Sequence, residues 1–346
     1  MLIYYLLYTL FIFSALFNSF TKNSKRTKKK TKLFFGLVSF FLILLVGFRE
    51  LGVGVDDINY LNYFKQSKNG RLRKDITFYF LSNIVSTINY LFVMFAVISI
   101  SLKAKFIVDN IRYVGVIFLL YFTSSFLLHD FVQIRAAVAS GLLLWILYFA
   151  GEKKFLISAI LIGIAVSFHL SAVIFIPLIF LKNANTKFTF LVFAIISLLI
   201  AFFYPLDIYS LAQFLPDYVY KRVQVYLIED NYEANLFNPI AIIHYIFAVI
   251  IFINWEKIVN YSTYSVFVVK TFLISLYVFL IFNNSGIAFR LYELLVIVQL
   301  PLIDIFLRTI NKKIFILSCS ILLSIVYLYY YLIKNPIVNP YSFFFT

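Results

Sequence analysis

The sequence predicts an all-α integral membrane protein, a polytopic helical bundle of about 11–12 transmembrane helices with a cavity at its extracytoplasmic end. Two observations carry the fold class. The 346 residues are 63% hydrophobic and 21% aromatic but only 13% charged, with a mean hydropathy of +0.95. A soluble domain is roughly 45–50% apolar and about 25% charged. Apolar runs of about 20 residues also recur from end to end, each long enough to cross a hydrocarbon core of roughly 30 Å. A β-barrel would instead show alternating segments of about ten residues.

Helices are expected at 2–20, 33–48, 77–102, 113–128, 136–151, 155–168, 170–181, 188–204, 239–254, 264–282, 287–307 and 314–333. The first has neither a basic flank before it nor a small-residue cleavage site, so it reads as a retained helix rather than a signal peptide. The pair 155–168 and 170–181 is short, and Pro177 interrupts its second member. Those two are either half-helices meeting a cavity or one long helix. The chain shows no internal repeat, low-complexity tract or separate soluble domain, so residues 1–346 read as a single polytopic membrane domain. Only the loops 49–76 and 205–238 leave room for structure outside the bilayer.

Basic residues set the orientation. The segment "TKNSKRTKKKTK" at 21–32 holds seven of them, which makes it cytoplasmic by the positive-inside rule. Alternation then puts 103–112, 152–154, 182–187, 256–257 and 308–313 inside, and nearly all carry Lys or Arg. The outside set is 49–76, 129–135, the turn at His169, 205–238, 283–286 and the C-terminus. Asp207, Asp217, Glu229, Asp230 and Glu233 suit an external 205–238 despite Lys221 and Arg222. Residues 65–74, "KQSKNGRLRK", run against the scheme with five basic residues. Reversing the topology would export the more basic 21–32.

Several function classes fall away. Cys319 is the only cysteine, which excludes an intrachain disulfide and a cysteine-cluster metal site. The net charge of +15 is explained by short basic loops against anionic lipid, so no nucleic-acid partner is expected. No phosphate-binding GxxxxGK loop occurs.

The remaining polar residues fall on the outer side. Arg49, Glu50, Asp56 and Asp57 follow the second helix, and His129, Asp130, Gln133 and Arg135 lie between the fourth and fifth. His169 and Ser171 mark the turn between the short helices, while Asn283, Asn284, Arg290 and Glu293 open the eleventh. Ionisable groups near a bilayer are costly, so several at one depth suggest a shared polar cavity. Each also has an ordinary reading. Arg135 can snorkel to the interface, although the small residues of "RAAVASG" favour helix contact. Arg290 and Glu293 can pair along one helix. His169 can be a packed, hydrogen-bonded residue, and His244 reads as structural. Asp56 or Asp57 can N-cap the helix that follows. Tyr60 and Tyr63 fit an aromatic belt or can stack on sugar rings. Jointly, Arg49, Arg135 and Arg290 would offer three guanidinium forks to phosphate oxygens. Asp56, His169 and Glu293 would be candidate bases.

At these residues the sequence resembles a known family. "FRELGVGVDDINYLNYF" is similar to the signature of the EpsG and Wzy-like polysaccharide polymerases. "IRAAVASGLLLWILYFAGEKKFL" around Arg135, "SFHLSAVIFIPL" around His169 and "AFRLYELLVIVQLPLI" around Arg290 follow in the family's order, and "NPYSFFF" resembles its C-terminal end. The likeness spans the whole chain. Where the family more often has Gly-Thr-Asp-Thr this sequence has Val55-Asp56-Asp57, which leaves the aspartate register open by one position.

The resemblance implies a multi-pass glycosyltransferase of the bacterial inner membrane that works on the outer face. It would join oligosaccharide repeats carried on undecaprenyl diphosphate, for an O-antigen, capsule or exopolysaccharide. The implied partners are that lipid-linked oligosaccharide, membrane lipids and a chain-length regulator. No cofactor or metal is expected. Arg135 and Arg290, with Arg49, would hold the diphosphate, while Asp56 or His169 would take the acceptor proton. Asp57, Tyr60 and Glu293 would support them. A divalent cation on Asp56 and Asp57 is an alternative that EDTA would test. A flippase, another transporter or a glycan ligase also fits the hydropathy, although a transporter would predict repeats or paired broken helices at the midplane.

Overall fold

Helix formation follows the apolar runs, and it breaks where polar residues or proline interrupt them. The computed structural model describes residues 1–20, 25–70, 75–183, 186–204 and 235–344, with 206, 213–214 and 220 between them. The chain is 80% helical, with 15 α-helices and no strand among the described residues. The first half contains α1 (Leu2–Phe20), α2 (Lys25–Gly47), α3 (Asp57–Lys68), α4 (Ile76–Ile84), α5 (Ile88–Asn110), α6 (Val114–Leu120), α7 (Ile134–Gly151) and α8 (Phe155–Phe168). The second contains α9 (Lys187–Phe203), α10 (Pro239–Ile253), α11 (Trp255–Val259), α12 (Thr263–Ile281), α13 (Gly286–Leu295), α14 (Gln299–Thr309) and α15 (Lys313–Tyr329).

Six helical stretches are long and apolar enough to cross a membrane: 29–47, 88–110, 134–151, 263–281, 286–309 and 313–334. Six shorter apolar helices occupy the other runs read from the sequence. α7 and α12 are largely buried, whereas α8 and α9 turn Leu156, Ile160, Phe188 and Phe203 outward, as lipid-facing helices do. α1 lies tightly on α6, because a Cβ on Gly115 would come within 2.5 Å of the Ser14 carbonyl oxygen. Small residues allow such approach between membrane helices.

Contacts sort the helix ends into two groups. At one end Lys32 pairs with Asp109 at 2.8 Å. There Asp304 accepts from the Arg112 and Tyr113 amides at 3.0 and 2.9 Å and pairs with Arg308 at 2.6 Å. At the other end the tail 335–344 runs beside the loop after α2. Asn339 donates its amide to Val53 at 2.7 Å, and Phe344 donates to Phe48 at 2.9 Å. The Tyr4 hydroxyl reaches the Asn339 carbonyl from α1 at 3.3 Å. The two segments read as outer thus meet at the end opposite the basic loops.

Five helices differ from their expected bounds. The run expected at 33–48 begins at Lys25, so residues 25–32 of the basic segment are the first turns of α2 rather than a loop. The run at 77–102 is two helices: α4 stops at Ile84, Val85 and Thr87 are extended, and α5 continues to Asn110. The cluster Ser82, Asn83, Ser86 and Thr87 accounts for the break, since such side chains compete with helical backbone bonds. Lys103 consequently lies within α5, buried and bonded to Asp130 at 2.8 Å, rather than in a loop. The run at 113–128 continues past α6 as a π-helix, Tyr121–Asp130. His129 and Asp130 are therefore helical, and only 131–133 lead into α7. The run at 287–307 is interrupted by a 3-10 turn, Val296–Val298, because Pro301 cannot donate to Ile297. Residues 170–181 form 3-10 turns, Leu170–Phe175 and Pro177–Phe180. A 3-10 rise of about 2.0 Å per residue lets so short a segment span about 20 Å.

Candidate functional site

The loop after α2 folds around a buried ion pair. Arg49 and Asp57 are both fully buried, with Nη2 at 2.6 Å from Oδ1. Arg49 Nε also points at both carboxylate oxygens at 3.2 Å, and Nη1 donates to the Val46 carbonyl at 2.7 Å. The guanidinium carbon sits 4.0 Å from the Phe92 ring centroid and 5.1 Å from that of Phe131. Asp57 Oδ2 accepts the Gly54 amide at 2.9 Å. Gly52 has φ of 97°, a turn that a residue with a Cβ would strain. Arg49 was expected to hold a diphosphate, and Asp57 to act beside Asp56 or cap a helix. Instead they brace each other, out of reach of a ligand.

Asp56 stands at the N-terminal boundary of α3 and makes no side-chain capping bond. It is half-buried and hydrogen-bonded to Asn59, within the Coulombic fields of Arg290 and Arg135. Burial raises its pKa above 3.8, while Asn59 and the two arginines pull the other way. Asp57 is committed to Arg49, whereas Asp56 lies in the fields of the other two arginines.

Arg135 is positioned by three elements. Its helix, α7, starts at Ile134; α3 supplies Tyr60 and Tyr63; α4 supplies Phe78 and, just before its start, Asp75. The guanidinium carbon lies 5.6 Å from the Tyr60 and Tyr63 centroids and 5.8 Å from that of Phe78. Nη1 pairs with Asp75 Oδ2, and Nε is buried without a hydrogen-bond partner. Tyr60 is buried among these groups and thus acts as a wall for Arg135 rather than an open stacking platform.

His169 caps the end of α8 in an extended conformation, with φ of −150° and ψ of 112°. It feels the charges of Arg135, Asp75 and Arg290. A 2.8 Å hydrogen bond between Thr77 and Ser167 ties α4 to α8 beside it. Arg290 lies on α13 with its side chain exposed. Three residues on, Glu293 is buried, hydrogen-bonded to Gln133 and within the field of Arg290. The structure therefore brings together Asp56, Arg135, His169 and Arg290, with Glu293 one helical turn away.

Three parts of the neighbourhood were not foreseen. Asp75, directly after the basic stretch 71–74, drew no reading from the sequence, yet it holds Arg135. His244 had no evident partner in the sequence; its Nδ1 lies 2.5 Å from the Tyr292 hydroxyl and its Nε2 2.9 Å from Gln299 Oε1. Beside Glu293 is a cavity lined by the π-helix 121–130, α10, α13, the start of α14, α15 and the turn 330–334 that follows it. The charges expected in 205–238 and at 71–74 lie outside the described residues. Among the described residues no three His, Cys, Asp or Glu side chains are grouped to hold a metal ion. Asp56 and Asp57 present no joint oxygen set either, since both Asp57 oxygens are engaged within the fold.

These features define a class: a multi-pass helical membrane protein with a charged site at the end away from its basic loops. The chain belongs to the EpsG family, whose model matches residues 32–343. Membership suggests a function of the polysaccharide-polymerase type. No curated protein and no solved structure matches the chain.

Proposed function

We propose that the protein is a polysaccharide polymerase of the bacterial inner membrane, acting at its extracytoplasmic face. It would transfer a growing glycan from undecaprenyl diphosphate to a sugar hydroxyl of an incoming lipid-linked repeat. The observation that carries this reading is the convergence of Asp56, Arg135, His169 and Arg290. Family membership supports it.

In the proposed step, the acceptor hydroxyl oxygen bonds to the anomeric carbon while the bond from that carbon to the diphosphate oxygen breaks. Asp56 or His169 takes the hydroxyl proton, and undecaprenyl diphosphate leaves with the bonding electrons. Arg135 and Arg290 stabilise the charge that develops on the leaving group, without need of a cofactor or metal ion. Attack opposite the leaving group inverts the anomeric centre. General-base help of this kind is worth about 10²–10⁴-fold, and one electrostatic stabiliser about 10²–10³-fold.

Reconstitution with the purified lipid-linked repeat, followed by sizing of the product, tests the reading. Arg135→Ala and Arg290→Ala, each stably expressed, are expected to abolish the polymer ladder. If both leave it unchanged, the assignment is wrong. Cells lacking the protein should accumulate single capped repeats; a flippase mutant would display none.

A further inference from the structure

We infer that the cavity beside Glu293 is a subsite for a neutral sugar ring of the glycan, distinct from the guanidinium pair. The inference deepens the polymerase reading and takes the sugar's source from it.

The walls suit a sugar. Tyr292, Tyr327, Tyr330 and Tyr331 line the cavity. The Tyr327 and Tyr331 centroids are 5.7 Å apart at 30°, and the Tyr330 ring stands at 75° to that of Tyr331. Tyrosine offers an apolar face to the C–H face of a pyranose and a hydroxyl to its edge. Polar side chains interleave with the rings, among them Asn235, Asn238 and Gln299, and can orient a ligand. Glu293 contributes a carboxylate. Ser125, 4% exposed, contributes a buried Oγ that has no hydrogen-bond partner. An unpaired hydroxyl in a buried wall is destabilising, and a ligand hydroxyl would relieve that cost.

The rear of the cavity is held in place. His244 bonds Tyr292 and Gln299, and Gln299 Nε2 donates to the Tyr327 hydroxyl at 3.1 Å. All three partners of this network line the cavity. Such a network sets ring orientation before a ligand arrives. Glu293 is three residues from Arg290 on α13, so the cavity begins about one turn from the guanidinium that would hold the diphosphate. A sugar seated there belongs to the same glycan whose reducing end reacts.

The test uses the full chain in detergent and, as probe, the oligosaccharide released by mild acid from the producing strain's lipid-linked pool. Thermal melting across a concentration series reads its affinity. Ser125→Leu fills the cavity without removing an existing side-chain bond, and Tyr330→Leu removes a rim ring in case leucine at 125 disturbs folding. The oligosaccharide is expected to stabilise the wild type and Arg135→Ala alike. Its affinity should fall at least tenfold in both cavity variants. Equal affinity in both variants would overturn the subsite. So would stabilisation by farnesyl diphosphate that Ser125→Leu abolishes while the oligosaccharide has no effect, since the cavity would then hold the lipid anchor. Failure of the polymerase reading looks different: Arg135→Ala and Arg290→Ala would keep the ladder while the cavity variants still lost sugar affinity.

Discussion

Asp57→Asn separates a structural role for the Arg49–Asp57 pair from a catalytic one. Both side chains are 0% exposed, and the carboxylate receives Nη2 at 2.6 Å, Nε at 3.2 Å and the Gly54 amide at 2.9 Å. The asparagine keeps the shape and one acceptor oxygen but leaves a guanidinium buried without its countercharge. Removing one partner of a buried pair typically costs about 3–5 kcal/mol. The contacts of Arg49 with the Phe92 and Phe131 rings are the same in both proteins and do not offset the loss, so about 3–5 kcal/mol is the loss expected. Arg49→Met with Asp57→Leu removes both charges and should be less damaging than Asp57→Asn alone. The assay is the melting midpoint in detergent, read beside the polymer ladder at a temperature where each variant is folded. Under a bracing role, Asp57→Asn melts early yet polymerises at low temperature, and the double variant recovers part of the stability. A variant that melts like the wild type and makes no polymer would refute this reasoning and return the pair to the reaction.

Two further outcomes follow from the site. Asp56 must be ionised to accept a proton, and burial raises its pKa above 3.8. A pH profile of kcat/KM should therefore fall on the acid side with its midpoint above that value, and a midpoint at or below it would remove Asp56 from the role of base. Asp75→Asn releases Arg135 from its nearest carboxylate; the melting midpoint should drop, and the KM for the lipid-linked repeat should fall because the freed guanidinium binds diphosphate more tightly. An unchanged KM would mean that Asp75 does not compete with the substrate.

Much of the site was legible because four residues break long apolar runs at the same end of their helices. Asp56, Arg135 and His169 sit at helix boundaries and Arg290 in the second turn of α13, where a charge or imidazole stands out against its neighbours. Arg49 stood out equally and was misplaced. Its pairing with Asp57 depends on the turn through Gly52 and on the tail 335–344 closing over the loop, neither of which hydropathy encodes. Asp75 was hidden by the basic residues before it. The cavity was hidden by composition: with 26 Tyr and 43 Phe in the chain, four tyrosines that share a wall carry no contrast. The fold class was secure from the apolar runs, and the turn at His169 was read from the sequence, whereas the breaks at Val85 and Val296 required local competition for backbone bonds that periodicity does not report.

The charge balance at the site bears directly on mechanism. Counted from the sequence, Arg49, Arg135 and Arg290 make a strongly cationic cavity. In the folded chain Arg49 is neutralised by Asp57, and Arg135 is paired with Asp75. Arg135 and Arg290 then face Asp56 and Asp75, which amounts to no net charge when all four are ionised. A diphosphate would not be drawn to such a site by a simple excess of positive charge. It would have to exchange with carboxylates already present, and Asp56 is the one whose own burial favours protonation. Taking up a proton at Asp56 removes one opposing charge, which leaves the arginines free to hold the leaving group. The proton removed from the acceptor and the charge developing on the diphosphate are two sides of one local balance.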